Sequence, residues 1–323
     1  MTRSKGITIA DVAREAGVST QTVSRVLNDK LEISAVTRDR VAEVIERLGY
    51  RPNSVARSLV SNRTFAIGLT VPDICNPFFP DIARGAEDTA REHGYEVFLC
   101  NTIEDPGREA TVLRALENRR VDGTIVCSSR LPDAELFPYL KRQRAAVLVN
   151  RPAPAEVTGG VRMDDASGTA RAVQHLLRGG RRTIGFLAGP PRSHSGAERA
   201  RGYEETLSAA GIGQNSDLVV PCGPTVEGGY EGARTLHSGR PGVDGLVCYN
   251  DLAAVGALRA CEELGLRVPE DVAVVGCDDI MLAGLVSPAL TTLRAPRYEI
   301  GAHAVRMLLD HIEGRRERAE VVL

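Results

Sequence analysis

Thr20, Gln21, Ser24, Arg25 and Asn28 share one side of a short polar segment near the start of the chain. Their hydroxyls, amides and guanidinium are the groups that hydrogen-bond to phosphates and base edges of duplex DNA, and a guanidinium at Arg25 can pair bidentately with guanine O6 and N7. Such groups act only if helices hold them in place. Residues 8–28 read TIADVAREAGVSTQTVSRVLN, in which Ile9, Val12, Ala13 and Ala16 recur at i, i+3, i+4 and i+7 as one apolar helical stripe. Thr8 with Asp11 is a capping signal that starts this helix, and Gly17 stops it by supplying positive φ for a tight turn. Ser19 caps a second helix whose Val23, Val26 and Leu27 face inward. Two short helices joined by a glycine turn, the second polar, read as a helix-turn-helix for a major groove. An ordinary helical hairpin is the competing reading. Val41, Val44, Ile45 and Leu48 mark a third helix begun near Thr37 and stopped at Gly49, which completes a headpiece over residues 1–50.

Charge favours nucleic acid. Residues 1–65 hold 11 Lys or Arg against 7 Asp or Glu, a balance of +4, whereas the rest holds 29 against 35, a balance of −6. A basic module on an acidic body suits phosphate contact by the module alone. Arginine outnumbers lysine 37 to 3, so an arginine is not functional merely by its type.

The stretch YRPNSVARSLVSNRT, a hinge over residues 51–63, has an extended start at Pro52, a cap at Asn53 and one short helical segment over 54–59. Six residues cannot sustain a helix alone in water. From residue 64 the pattern changes to apolar runs alternating with helical stretches: FAIGLTV, YEVFLC, VDGTIVC, AAVLVN, GGVRM, TIGFLAG, DLVVP, DGLVCYN, VAVVGC and LTTL. This α/β alternation predicts doubly wound parallel sheets, and ten strands predict two lobes with a break near residues 158–164. The expected division is a first lobe of about 64–161 plus 294–318 and a second of about 162–293 plus the C-terminal end. Ligands of such sheets bind beyond the carboxyl ends of strands. Those ends are polar here: Asp73 and Asn76, Ser128 and Ser129, Asn150 and Arg151, Asp164 and Asp165, residues 192–195, Asn250 and Asp251, Asp278 and Asp279. Around one cleft they would hold a small polar ligand, although singly each is a cap or turn residue; one of each adjacent aspartate pair is expected to cap the helix that follows it.

Other classes find little support. Dinucleotide, P-loop, nucleophile-elbow and HExxH signatures are absent, and of six scattered histidines only His194 falls near the expected cleft, so no enzyme is expected. The seven cysteines include no CxxC pair and read as reduced thiols, with no cofactor and no metal expected. No run of roughly 18 apolar residues spans a membrane, and the N-terminus has no signal-peptide core, so a cytoplasmic protein is expected.

Several segments together resemble the lactose-repressor (LacI/GalR) family of bacterial transcription regulators. DVAREAGVSTQTVSRVLN is similar to its helix-turn-helix, GYRPNSVARSL to its hinge, and VPDICNPFF, RRTIGFLAGP, RARGYEETL, YNDLAAVGAL, VAVVGCDDI and SPALTTLRAPRYEIG to motifs of its core. The resemblance covers nearly the whole chain. It implies a headpiece, a hinge helix that folds on operator DNA, and a dimerising two-lobed core of the periplasmic-binding-protein type. By motif position, Thr20, Gln21 and Arg25 would read bases, and Thr8, Ser19, Thr22, Ser24 and Asn28 would also lie against DNA. The hinge would add Asn53, Ala56, Arg57 and Leu59, the leucine entering the minor groove. Effector would meet Arg199, Asn250 and Asp278 on one lobe and Phe78 and Phe79 on the other, with Asp73, Ser128, Asn150 and His194 also at the cleft. The implied partners are operator DNA, a second copy of the chain and a small polar effector such as a sugar or sugar derivative. Two departures stand out. Pro224, six residues before Tyr230, occupies the position where sugar- and purine-binding relatives often place a stacking aromatic, and the chain has no tryptophan. Its last residues, VVL, leave no room for a tetramerisation helix, so a homodimer is expected. A solute-binding protein of the periplasmic sugar-binding type is the alternative reading of the core.

Overall fold

The computed structural model describes residues 7–27, 33–50, 63–155, 157–213, 215–239, 242–315 and 319–323. The chain divides into two compact units, Met1–Thr64 and Phe65–Leu323.

The first unit holds α1 (Ile9–Ala16), α2 (Thr20–Leu27) and α3 (Ala35–Leu48). Thr8 and Asp11 form a reciprocal capping box, and Gly17 ends α1 at φ 64°. The Thr22 N–H donates to Ser19 Oγ at 3.1 Å, which caps α2. The third helix starts two residues before the expected Thr37, because Ser34 accepts from the Thr37 N–H and takes the cap; Gly49 stops it at φ 62°. Val12, Ala13, Ala16, Val23, Val41 and Val44 close into one small core.

The second unit holds two parallel sheets. The first runs in the order β11-β5-β4-β3-β1-β2, from β1 (Ala66–Val71), β2 (Glu96–Asn101), β3 (Gly123–Cys127), β4 (Ala146–Val149), β5 (Gly159–Arg162) and β11 (Ala319–Val322). The second runs β10-β9-β8-β6-β7, from β6 (Ile184–Ala188), β7 (Val219–Pro221), β8 (Gly245–Cys248), β9 (Ala273–Asp278) and β10 (Thr291–Arg294). In chain order the helices are α4 (Phe78–Glu92), α5 (Pro106–Asn118), α6 (Asp133–Arg142), α7 (Asp165–Arg178), α8 (His194–Ala209), α9 (Val226–Gly239), α10 (Asp251–Glu263) and α11 (Arg297–Ile312).

Every strand read from the sequence forms. An eleventh, β11, pairs in parallel with β5 through Val321 opposite Val161. The C-terminal end therefore belongs to the first lobe's sheet, not to the second lobe as expected. The chain crosses to the second lobe between β5 and α7 and returns between β10 and α11. All six residues of β1 are buried, as a central strand covered on both faces requires. On one face lie α4 and α11, so close that a Cβ on Gly85 would stand 2.0 Å from the Tyr298 carbonyl oxygen.

Candidate functional site

On the headpiece, Thr8, Ser19, Thr20, Gln21 and Arg25 are exposed, and Thr22 and Ser24 are half-buried. The Thr8 and Ser19 hydroxyls serve the helix starts: Thr8 Oγ1 donates to Asp11 at 2.7 Å, and Ser19 Oγ lies 2.9 Å from Thr22 Oγ1. Thr20, Gln21 and Arg25 thus form the outward polar face of α2. Asn28, Asn53, Ala56, Arg57 and Leu59 lie outside the described residues.

In the core, the carboxyl ends of β1, β3 and β4 make one wall of a cleft. After β1, Asp73 accepts from the Cys75 N–H at 3.0 Å, and buried Asn76 accepts from the Phe78 N–H at 3.0 Å, which turns the chain into α4. Phe78 and Phe79 meet edge to face, centroids 5.1 Å apart, within the first lobe's core. After β3 and β4, Ser128 and Asn150 both take left-handed backbone, at φ 47° and 57°. The Asn150 amide donates to Ser128 Oγ at 3.2 Å, and its Oδ1 has no partner. Arg151 donates to the Leu131 carbonyl at 2.7 Å and pairs with Asp133, while its Nε stays unpartnered. Arg130 forks onto Glu104, and its own N–H donates to Glu109 at 2.9 Å.

The facing wall comes from β6, β8 and β9. Ser193 caps α8 and bonds the Tyr249 hydroxyl at 2.9 Å. His194 follows; burial holds its pKa below the usual imidazole value, and Arg151 of the other wall pushes the same way, against Asp133 and Glu198. Ser195 Oγ is buried with no partner. Arg199 lies 5.0 Å over the Tyr249 ring, donates to the Tyr249 carbonyl and pairs with Asp165 at 2.7 Å. Its Nη2 stands 3.9 Å from Asp278. Asn250 spends its oxygen on the Ala253 N–H at 2.9 Å and its amide on the Pro224 carbonyl at 3.1 Å. Asp278 ends β9 at φ 125° and Asp279 follows at φ 55°, each a conformation that costs on the order of 1–3 kcal/mol. Burial pushes the Asp278 carboxyl up to about 8 against the pull of Arg199, with Asp251 and Asp165 adding repulsion.

The structure brings Asn150 after β4, His194 and Arg199 of α8 and Asp278 at the end of β9 to the two walls. Asp164 caps α7 as expected, through the Ser167 N–H at 3.1 Å. Neither member of the second aspartate pair caps a helix; Asp279 pairs with Arg294 at 2.8 Å, because the short turn that follows opens at Ile280. Arg130, Arg151, Ser195, Tyr249 and Arg297 are the residues that motif position did not select. Arg151 and Ser195 carried the signal that the other strand ends carried; Arg130, Tyr249 and Arg297 carried none. All seven cysteines are free, and no group of His, Cys, Asp or Glu among the described residues is placed to hold a metal. No described helix is long and apolar enough to cross a membrane.

Comparison with known proteins decides the class. Residues 8–53 match the model for bacterial regulatory proteins of the lacI family, and residues 64–323 match that for periplasmic binding proteins and the sugar binding domain of the LacI family. The chain belongs to the LacI family. It is a DNA-binding transcriptional regulator with a sugar-binding-type effector domain, not an enzyme. It is 39% identical to the transcriptional regulator RegA of Clostridium saccharobutylicum over 93% of this chain and 91% of that protein. It is 37% identical to the ribose operon repressor of Halalkalibacterium halodurans, over 95% and 90%. A solved lac repressor dimer, bound to operator and the anti-inducer ONPF, is similar at TM-score 0.88 and 27% identity, over 99% of this chain and 96% of that one. This LacI-family chain therefore carries its polar cleft in the domain that its family uses for small molecules.

Proposed function

We propose that this LacI-family protein is a cytoplasmic repressor that binds a palindromic operator as a homodimer and is controlled by a neutral, polyhydroxylated effector such as a sugar or sugar derivative. One observation carries the effector class. Asn150 Oδ1, Ser195 Oγ and Arg151 Nε are all on residues more than nine-tenths buried, and all lack partners. Asp278 adds a buried carboxyl group whose pKa burial pushes up to about 8, with Arg199 3.9 Å away. Buried polar groups are left open at a cost unless something satisfies them. This set asks for a donor at Asn150, for an acceptor at Arg151 and for either at Ser195 and at the protonated Asp278 carboxyl. A hydroxyl both donates and accepts, so a sugar meets all of them without bringing a charge into the cleft.

The DNA contacts follow the same reading. Thr20, Gln21 and Arg25 read bases, Thr8, Ser19, Thr22, Ser24 and Asn28 lie against DNA nearby, and the hinge adds Asn53, Ala56, Arg57 and Leu59, of which the leucine enters the minor groove. Asp73, Phe78, Phe79, Ser128 and Asn250 shape the effector cleft. Dimer formation is supported by exposed apolar side chains on both lobes: Phe98, Leu99 and Ile103 on and beside β2, and Met281 and Leu285 after β9.

A fluorescence-anisotropy titration on the chain's own promoter region, with a thermal-shift screen of sugars, polyols, nucleosides and amino acids, tests the reading. A palindromic site bound well above random DNA is expected, together with a sugar that both raises the melting temperature and changes operator affinity. Equal affinity for all sequences would overturn the operator assignment. A response confined to amino acids would overturn the effector class.

A further inference from the structure

Arg297 opens α11 in the first lobe and bonds both walls of the cleft. Its Nε donates to Asp81 Oδ2 at 2.9 Å, in the turn of α4 that follows Phe78 and Phe79. Its Nη1 donates to the carbonyl of Asp278 and, at 2.9 Å, to that of Asp279. Those carbonyls belong to two consecutive non-glycine residues at positive φ, 125° and 55°, which a chain holds only where its surroundings fix it. The amide side of the turn is fixed within the second lobe: the Asp279 N–H donates to Thr292 Oγ1 at 3.3 Å and the Ile280 N–H to Asp251 at 2.8 Å. The carbonyl side is fixed by the other lobe.

We propose that Arg297 is a positioning residue that makes the conformation of Asp278 depend on the spacing of the two lobes. Contact with a ligand at Asp278 then shifts the first turn of α4 through one guanidinium, and a shift of α4 relaxes or tightens the Asp278–Asp279 turn. Energetic coupling between sites needs such an element, biased from both sides. The ligand half of this inference rests on the effector reading above; the mechanical half does not.

Hydrogen exchange followed by mass spectrometry on the full chain, without any ligand, separates the two. The reporters are the Asp279 and Ile280 amides. In Asp81→Asn the mutated side chain lies on the first lobe only, yet exchange in the second-lobe peptide covering residues 278–283 should rise at least threefold. Arg297→Met should raise it tenfold or more. If Asp81→Asn changes exchange in α4 alone and leaves residues 278–283 at the wild-type rate, Arg297 is a local helix-end contact and the proposal fails. If that peptide loosens as expected while no sugar binds the wild-type protein, the coupling stands and the effector reading falls.

Discussion

Asp165 takes the Nε of Arg199 at 2.7 Å and leaves Asp278 to face the same guanidinium from 3.9 Å. The two buried carboxylates therefore share one cation unequally, and Asp278 holds its proton up to about pH 8. An unfolded aspartate releases its proton near 3.9. Between those values the folded chain binds a proton that the unfolded chain has lost, so this group's contribution to stability is complete at low pH and disappears as pH rises through the folded value. Asp278→Asn removes the titration: its melting temperature should fall less than that of the wild type from pH 5 to pH 8, and equal slopes would show that the carboxyl is not held in this way. Arg199→Ala is a different experiment. It strands Asp165 and Asp278 without their cation, and loss of one partner of a buried pair costs about 3–5 kcal/mol, so a lost effector response in that variant would report unfolding as much as binding. On the headpiece, Arg25→Ala should cost ~1–3 kcal/mol on the preferred operator and flatten base preference at one position. Uniform weakening on every sequence would instead mark Arg25 as a phosphate contact.

Helices and strands form where local signals agree. Thr8 with Asp11, Gly17 and Gly49 were readable because a cap or a positive-φ stop involves residues within a turn of one another. The third helix begins at Ala35, capped by Ser34, and not at Thr37, because both hydroxyls can cap and only the packed helix shows which one does. The last strand, β11, is revealed only by its pairing with β5, a contact across more than 150 residues. Arg130 reaches Glu104 across 26 residues and Arg297 reaches Asp81 across 216, distances over which sequence carries no local sign of contact. One close helix contact is equally long-range. Gly85 of α4 lies against the Tyr298 carbonyl, and Gly301 of α11 lies against the Ile82 carbonyl, each with only 2.0 Å for a Cβ. Gly85→Ala must push the helices apart at a cost of about 1–3 kcal/mol, and a lower urea midpoint with an unchanged slope is the expected result. An unchanged midpoint would mean that α4 and α11 separate freely, which would also weaken the case for Arg297 as a rigid link between the cleft walls.

Assembly is written on the surface of the core. Met281 is 76% exposed, Leu285 70% and Phe98 49%, and these apolar side chains fall on both lobes. Scattered apolar residues need no explanation, but patches on two lobes can be covered together when a second copy packs side by side about a two-fold axis, and an isologous interface of that kind uses the same patch on each subunit. The two-fold matters because a palindromic operator repeats its half-site with the same symmetry. Once one headpiece is bound, the other binds intramolecularly, a gain of roughly 10²–10⁴ in affinity without any new contact. Leu99→Glu combined with Leu285→Glu places charge in both patches while leaving the headpiece and the Asp278–Asp279 turn unmutated. Sedimentation velocity should then show a monomer, and operator affinity should fall by about 10²–10⁴ toward that of a single half-site. The thermal shift given by a sugar should persist, because the groups proposed to bind it all lie within one chain. A double variant that still sediments as a dimer would place the interface elsewhere on the core. One that becomes monomeric yet keeps full operator affinity would show that each chain reads its site alone.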